Sequence, residues 1–281
     1  TPAATYEELE TMFRVAANAG ASAHIHIRGS TRGLSQTIET AATAGVSLHI
    51  VHANSSAGED VTTFMAVIKD AVAAGQDVTT EVYPYGAGMT AIESALFDDW
   101  ESWDNDRIGL HQWVATGERL TRESFGRYRS QGGTVIIHGR SEEATRLAVL
   151  HPLTMIASDG FIENGRGHPR TSGSYSKVLG QYVRDEGALS LMDALRKMTL
   201  SPARRLEMRT PSMRSKGRVR AGFDADLVVF DPTTIIDRST YEDGMIPSEG
   251  ITYVTVNGVL VVDGGALVEG SRPGRPVRAG S

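Results

Sequence analysis

Between residues 5 and about 210 the apolar positions switch repeatedly between two spacings. "TYEELETMFRVAANAG" places them at three- and four-residue intervals, behind a Thr5 cap with Glu8 three positions on and a stop at Gly20, which predicts a helix. "ASAHIHI" then alternates residue by residue and predicts a strand. The pair recurs as helix "LSQTIETAATAG", strand "VSLHIVH", helix "GEDVTTFMAVIKDAVAAG" and strand "QDVTTEVYPY". From 89 to 132 the pattern is less regular and reads as a short helical insertion followed by the capped helix "TRESFGRYRSQGG". "TVIIHG" and "LTMIAS" supply a fourth and a fifth strand around helix "SEEATRLAVL", and "SGSYSKVLGQYVRDEG" and "SLMDALRKMTLSPARRL" read as helices. Such alternation predicts an α/β fold of βαβ units on a parallel sheet.

After residue 212 the character changes. "KGRVRAGFDADLVVFDP", "GITYVTVNGVLVVDGG" and "ALVEG" are short β-branched runs separated by Asn-Gly, Asp-Gly and Gly turns, which predicts antiparallel hairpins. The expected division is residues 1–211 as the α/β catalytic region and 212–281 as a small β-rich region beside it.

Composition narrows the functions open to this pattern. The 281 residues carry a formal charge of -6 with acids and bases interspersed, so no basic stripe points to nucleic acid. No apolar run approaches the roughly 18 residues of a membrane span, and "TPAATYEELE" has no leader-like apolar stretch, so a cytoplasmic location away from membranes is expected. Cysteine is absent, which removes thiol nucleophiles and leaves His, Asp and Glu as possible metal ligands.

In parallel βα folds, function gathers at the carboxyl ends of the strands. Here each predicted strand ends on a potentially reactive group: "HIHIR" (24–28), "LHIVHAN" (48–54), "EVYPYGAG" (81–88), "IIHG" (136–139) and "ASDG" (157–160). Alternation puts His24, His26 and Arg28 on one face, whereas in "LHIVH" only His52 stands at the strand's end. A lone strand histidine is more often structural than a ligand. Histidines at two successive strand ends with Asp159 at a later one make a ligand set for zinc or a similar divalent ion, and Asp159 a proton acceptor for water attacking a carbonyl. Arg170, in "GHPR", suits bidentate capture of a substrate carboxylate, and Tyr83 and Tyr85 offer hydroxyls, with a solvated charge and aromatic packing as the competing readings.

Taken in order, "HIR", "VH", "YPYGAG", "ASDG", "HPR" eleven residues past the aspartate, "SPARRL" and "GRVRAGFDADLVVFDP" resemble the amidohydrolase superfamily, and within it the N-acyl-D-amino-acid deacylases. The resemblance implies the C-terminal part of a (β/α)8 barrel, about strands five to eight, with a flanking β-sandwich built from "SEGITYVTVNGVLVVDGG". It implies one or two zinc ions held by His26, His52 and Asp159, with Asp159 as general base, and Tyr83 and Arg170 on the α-carboxylate of a small-molecule substrate. It transfers no role to His24, His138 or His168. Two positions depart from the family pattern: Asn54 stands where a basic residue is usual, and Met89 where a small hydroxyl residue is usual. The family's first four strands, with their HxH pair and metal-binding Cys, have no counterpart and are expected to precede Thr1 or to come from a second chain. The implied reaction is hydrolysis of linear N-acyl-D-amino acids. Cyclic-amide hydrolysis of the dihydroorotase or hydantoinase kind, and a non-catalytic fragment, are the alternatives.

Overall fold

Val78, Thr80 and Val82 alternate with Thr79 and Glu81 along one strand, so one face of the sheet that contains it is made for a core and the other for polar groups. The computed structural model describes residues 4–28 and 30–279. It opens with α1 (Tyr6–Asn18), entered through the expected capping box between Thr5 and Glu8, then β1 (Ser22–Ile25), α2 (Thr31–Ala44) and β2 (Ser47–Ile50). A short α3 (Ala53–Ala57), missed in the sequence, precedes α4 (Val61–Ala73) and β3 (Val78–Val82). The chain then makes a long excursion through β4 (Gly88–Ala91), α5 (Asn105–Gly109), β5 (His111–Trp113), α6 (Arg122–Gln131) and β6 (Thr134–Ile137). It returns by α7 (Glu142–Leu150) to β7 (Thr154–Ile156).

Strands β1, β2, β3 and β7 form a parallel four-stranded sheet in that order, so β7 pairs with β3 across the whole excursion. Leu48, Ile50, Val78, Val82 and Ile156 on one face pack against Phe13, Leu34, Ile38, Phe64, Ile68 and Val149 of the helices, which is the main core. The opposite face carries His24, His49, Glu81 and Met155, which line a cavity of about 480 Å³. Buried His49 bonds Thr79 Oγ1 through Nδ1 at 2.7 Å and Glu81 Oε2 through Nε2 at 2.8 Å.

"TVIIHG", expected as the fourth strand of the parallel sheet, does not belong to it. β6 is the centre of a separate antiparallel sheet, order β4-β6-β5. Val135 faces an aromatic cluster that includes Trp103, Trp113 and Phe125, while Ile136 faces Ala87 and Met89. A strand covered on both sides shows no alternation, and its apolar run looks the same in sequence as a parallel core strand.

Beyond β7 come a two-residue hairpin, β8 (Ile162–Glu163) and β9 (Arg166–Gly167), and α8 (Arg170–Lys177), which continues as a π-helix over Val178–Asp185. α9 (Leu191–Leu195) and α10 (Ser201–Glu207), joined by a π-helical turn, follow, and a 3-10 helix over Pro211–Ser215 leads out of the helical part. β10 (Leu227–Phe230), β11 (Ile251–Val256), β12 (Val259–Asp263) and β13 (Ala266–Leu267) form an antiparallel sheet. Its central hairpin turns through Asn257 and Gly258, both at positive φ, as an Asn-Gly turn of the primed kind requires. The segment between β10 and β11 leaves this sheet and places Ile235 in the main core, so the two regions share packing.

Candidate functional site

The parallel sheet ends its strands along one rim, and the site is built there. β1 stops at Ile25, so His26 lies just beyond the strand. β2 stops at Ile50, and His52 is the residue from which α3 starts, held in the left-handed region at φ +35°, ψ +57°. A non-glycine residue in that region costs on the order of 1 kcal/mol and persists only where its surroundings over-determine it. The two imidazoles meet edge to face with ring centroids 4.4 Å apart. His52 is buried, and its Nδ1 has no hydrogen-bond partner, an orphaned atom of the kind a further ligand would satisfy. Burial, reinforced by His52 and opposed by Asp159, pulls His26 down to about 4, and burial likewise lowers His52 against the pull of Asp159. Both rings are therefore neutral donors at pH 7, the form that ligates metals.

Asp159, two residues past Ala157, is the second left-handed residue of the rim, at φ +48°. The next position is glycine for steric reasons: a Cβ on Gly160 would stand 2.6 Å from the Cα of Thr171. That close approach brings α8 against the strand tip, and Arg170, its first residue, reaches Asp159 Oδ2 with Nη1 at 2.9 Å. Arg170 is 2% exposed, its guanidinium lies 4.5 Å from the Tyr83 ring centroid, and its Nε is unpartnered. His168 fixes the turn before it: buried and neutral, it bonds Ala87 O through Nε2 at 3.0 Å and accepts the Arg170 N–H on Nδ1 at 2.9 Å. Burial, with the nearby Arg170 charge, keeps its pKa well below the usual histidine value.

Tyr83 is buried at the tip of β3, and Asn54 explains its own departure from a basic residue by clamping the Tyr83 backbone, donating to its carbonyl at 3.0 Å and accepting from its N–H at 3.3 Å. The Tyr83 hydroxyl accepts from Arg140 Nη2 at 2.7 Å, while Arg140 Nη1 donates to Ser55 Oγ at 3.2 Å. Arg140 and Ser55 were missed in the sequence, although Arg140 directly follows the quoted "IIHG". It is anchored at Gly86, where a Cβ would stand 2.7 Å from the Arg140 carbonyl, and by the Arg140 N–H bond to Gly86 O at 3.2 Å. Tyr85 turns away from the rim and donates to Asp237 Oδ2 at 2.8 Å. His138 bonds Gln112 Oε1 at 2.8 Å inside the excursion, and His24 pairs with His49 on the cavity face, rings 4.9 Å apart.

The expected set of His26, His52 and Asp159 is thus brought to one rim, but only the two imidazoles adjoin. The Asp159 carboxylate is committed to Arg170, and among the described residues no group of three or more His, Asp or Glu is placed to hold a metal ion. The donors present fit a divalent ion as part of a site: two neutral imidazoles, one with an unsatisfied buried nitrogen, and an acid on the neighbouring rim position.

A model of the Amidohydrolase family matches residues 1–262. N-acyl-D-glutamate deacylase from Alcaligenes xylosoxydans xylosoxydans is 30% identical over 96% of this chain and 57% of that protein. D-aminoacylase of the same organism is 33% identical over 68% of this chain and 40% of that protein. The crystal structure of N-acyl-D-glutamate deacylase from Bordetella bronchiseptica, in complex with zinc and a phosphonate mimic of the tetrahedral intermediate, superposes with a TM-score of 0.77 at 27% identity, covering 92% of this chain and 56% of that one. The chain spans a little over half the length of the relatives it matches along nearly its whole extent.

Proposed function

This chain belongs to the amidohydrolase family, and from that premise we propose that it carries the later-strand portion of the active site of a zinc-dependent hydrolase that deacylates N-acyl-D-amino acids. Its α/β region is then the C-terminal part of a (β/α)8 barrel, with residues 212–281 contributing to a flanking β-sandwich. The order β1-β2-β3-β7 with tips on one rim supports this, as do the relatives named for D-amino-acid deacylation.

The observation that carries the reading is the His26–His52 pair at adjacent strand tips, with the buried Nδ1 of His52 unsatisfied. These two residues would hold the ion, which when bound supplies Lewis acidity toward the acyl carbonyl and makes nearby water easier to deprotonate. Asp159 takes a proton as water adds to the carbonyl carbon and delivers it to the leaving nitrogen as the C–N bond breaks, giving a carboxylic acid and a free D-amino acid. Arg170 holds Asp159 in place through the 2.9 Å ion pair and, with Tyr83, presents a cationic, hydrogen-bonding wall to the substrate carboxylate.

Zinc content after equilibrium dialysis tests the first half of this, and release of free amino acid from N-acetyl-D- against N-acetyl-L-amino acids the second. Zinc retained by the wild type and lost in both His26→Ala and His52→Ala is the expected result. A folded chain that binds no zinc, or binds it equally in all three, overturns the reading.

A further inference from the structure

We propose that Arg140, Ser55 and Tyr83 form an anion cradle over Gly88, and that this cradle, rather than Arg170 alone, takes the carboxylate of the acyl-amino-acid substrate. The inference rests on the deacylase reading for the identity of the ligand, but its geometry stands apart from the metal pair. Four observations converge on it.

The first is charge. Two guanidinium groups address one tyrosine, with Arg170 Cζ 4.5 Å and Arg140 Cζ 5.5 Å from the Tyr83 ring centroid. Arg170 already has an acid partner in Asp159. Arg140 has only hydroxyl partners for its side chain, Tyr83 Oη and Ser55 Oγ, and forms no ion pair among the described residues. Glu59, whose carboxyl feels the Arg140 charge, is occupied by the backbone N–H and hydroxyl of Ser141 at 2.8 and 2.6 Å. Arg140 thus brings to the cluster a positive charge that no carboxylate among the described residues pairs with, the complement of one carboxylate.

The second is an unused donor. Arg140 Nε is buried with no partner, and buried donors are rarely left so. The third is convergence. A Cβ built on Gly88 would meet the Tyr83 hydroxyl at 3.5 Å and Arg140 Nη1 and Ser55 Oγ at 3.8 Å each, so three polar atoms converge on the point where a side chain would start. Those distances are ordinary van der Waals contacts, so sterics alone do not require glycine there. The fourth is anchoring: the close approach at Gly86 and the Arg140 N–H bond to its carbonyl fix where the guanidinium starts, and a planar fork so held is suited to a carboxylate.

The test is equilibrium binding to the full chain, by calorimetry, of N-acetyl-D-alanine and of its neutral carboxamide. The wild type is expected to prefer the acid by at least about tenfold, the scale of a charge-assisted hydrogen bond. Arg140→Gln should remove most of that preference while keeping the wild-type circular dichroism, with Arg140→Lys retaining part of it, and Gly88→Ala, which puts a methyl group among the three polar atoms, should weaken binding of both ligands. An unchanged preference in Arg140→Gln, or no preference in the wild type, overturns the proposal. The two readings separate cleanly. An Arg140-dependent preference in a chain that neither binds zinc nor hydrolyses amides upholds the cradle and removes the deacylase. Hydrolysis with an acid preference indifferent to Arg140 does the reverse.

Discussion

Replacing Asp159 by Asn removes a charge while keeping the side-chain shape and a residue type that tolerates the left-handed backbone found there, φ +48°. What remains is Arg170, 2% exposed and without its partner at 2.9 Å. At that separation two unit charges attract by roughly 6 kcal/mol at an effective dielectric constant of 20. The Asp159 side chain is 37% exposed, so water screens much of this, and the Asn oxygen still accepts a hydrogen bond. The expected cost is about 2 kcal/mol, below the roughly 3 to 5 kcal/mol of breaking a fully buried pair. Urea denaturation of the wild type, Asp159→Asn, Arg170→Met and the double variant, followed by both circular dichroism and tryptophan fluorescence, measures it. In the Arg170→Met background Asp159→Asn should cost no more than about 0.5 kcal/mol, because an exposed carboxylate without a buried cation has little to lose. Equal costs in the two backgrounds would refute the argument that a desolvated guanidinium depends on this acid.

Acid should destabilise the fold in a defined window. Burial lowers His24 and His138 to about 4 and holds His168 well below its ordinary value, so the unfolded chain binds more protons than the native one below the ordinary histidine value of about 6.5. Stability is then fully present above about pH 6.5 and falls as pH drops toward 4; thermal midpoints flat across that interval would contradict the burial of these rings. Gly86→Ala should lower stability by about 1 to 3 kcal/mol, since its Cβ would stand 2.7 Å from a backbone carbonyl that cannot rotate away. A thermal midpoint within error of the wild type would show that the Arg140 loop is not pressed against that strand end.

Strand–helix alternation was legible because amphipathic helices and half-buried strands each leave a period in the sequence, and the caps at Thr5 and Gly45 marked real ends. Asp159 and His52 could be picked out as strand-end groups by the same logic. Their left-handed backbone could not, because Asp and His, though enriched at positive φ, adopt it in only a minority of positions and the surrounding packing decides which. The strand "TVII" was misplaced because burial on two faces erases the period that would have given its partners away. Arg140 was passed over for a different reason: its position depends on a contact with Gly86, 54 residues earlier in the numbering, and pairwise contacts at that range leave no local pattern. The Asp159–Arg170 pair belongs to the same class, since spacing placed both at the rim without saying that each would claim the other.

Strand β7 lies directly against β3, although the chain between them builds its own three-stranded sheet and its own aromatic interior. That detour therefore begins and ends at points locked together by backbone ladder bonds. It can lengthen, shrink or change its contents over evolutionary time without altering the lateral spacing of the tips from which it departs. Two of the cradle's walls, Gly88 and Arg140, sit at its departure and return, so drift in this one segment would retune what the pocket accepts while the histidine pair stays where the sheet puts it.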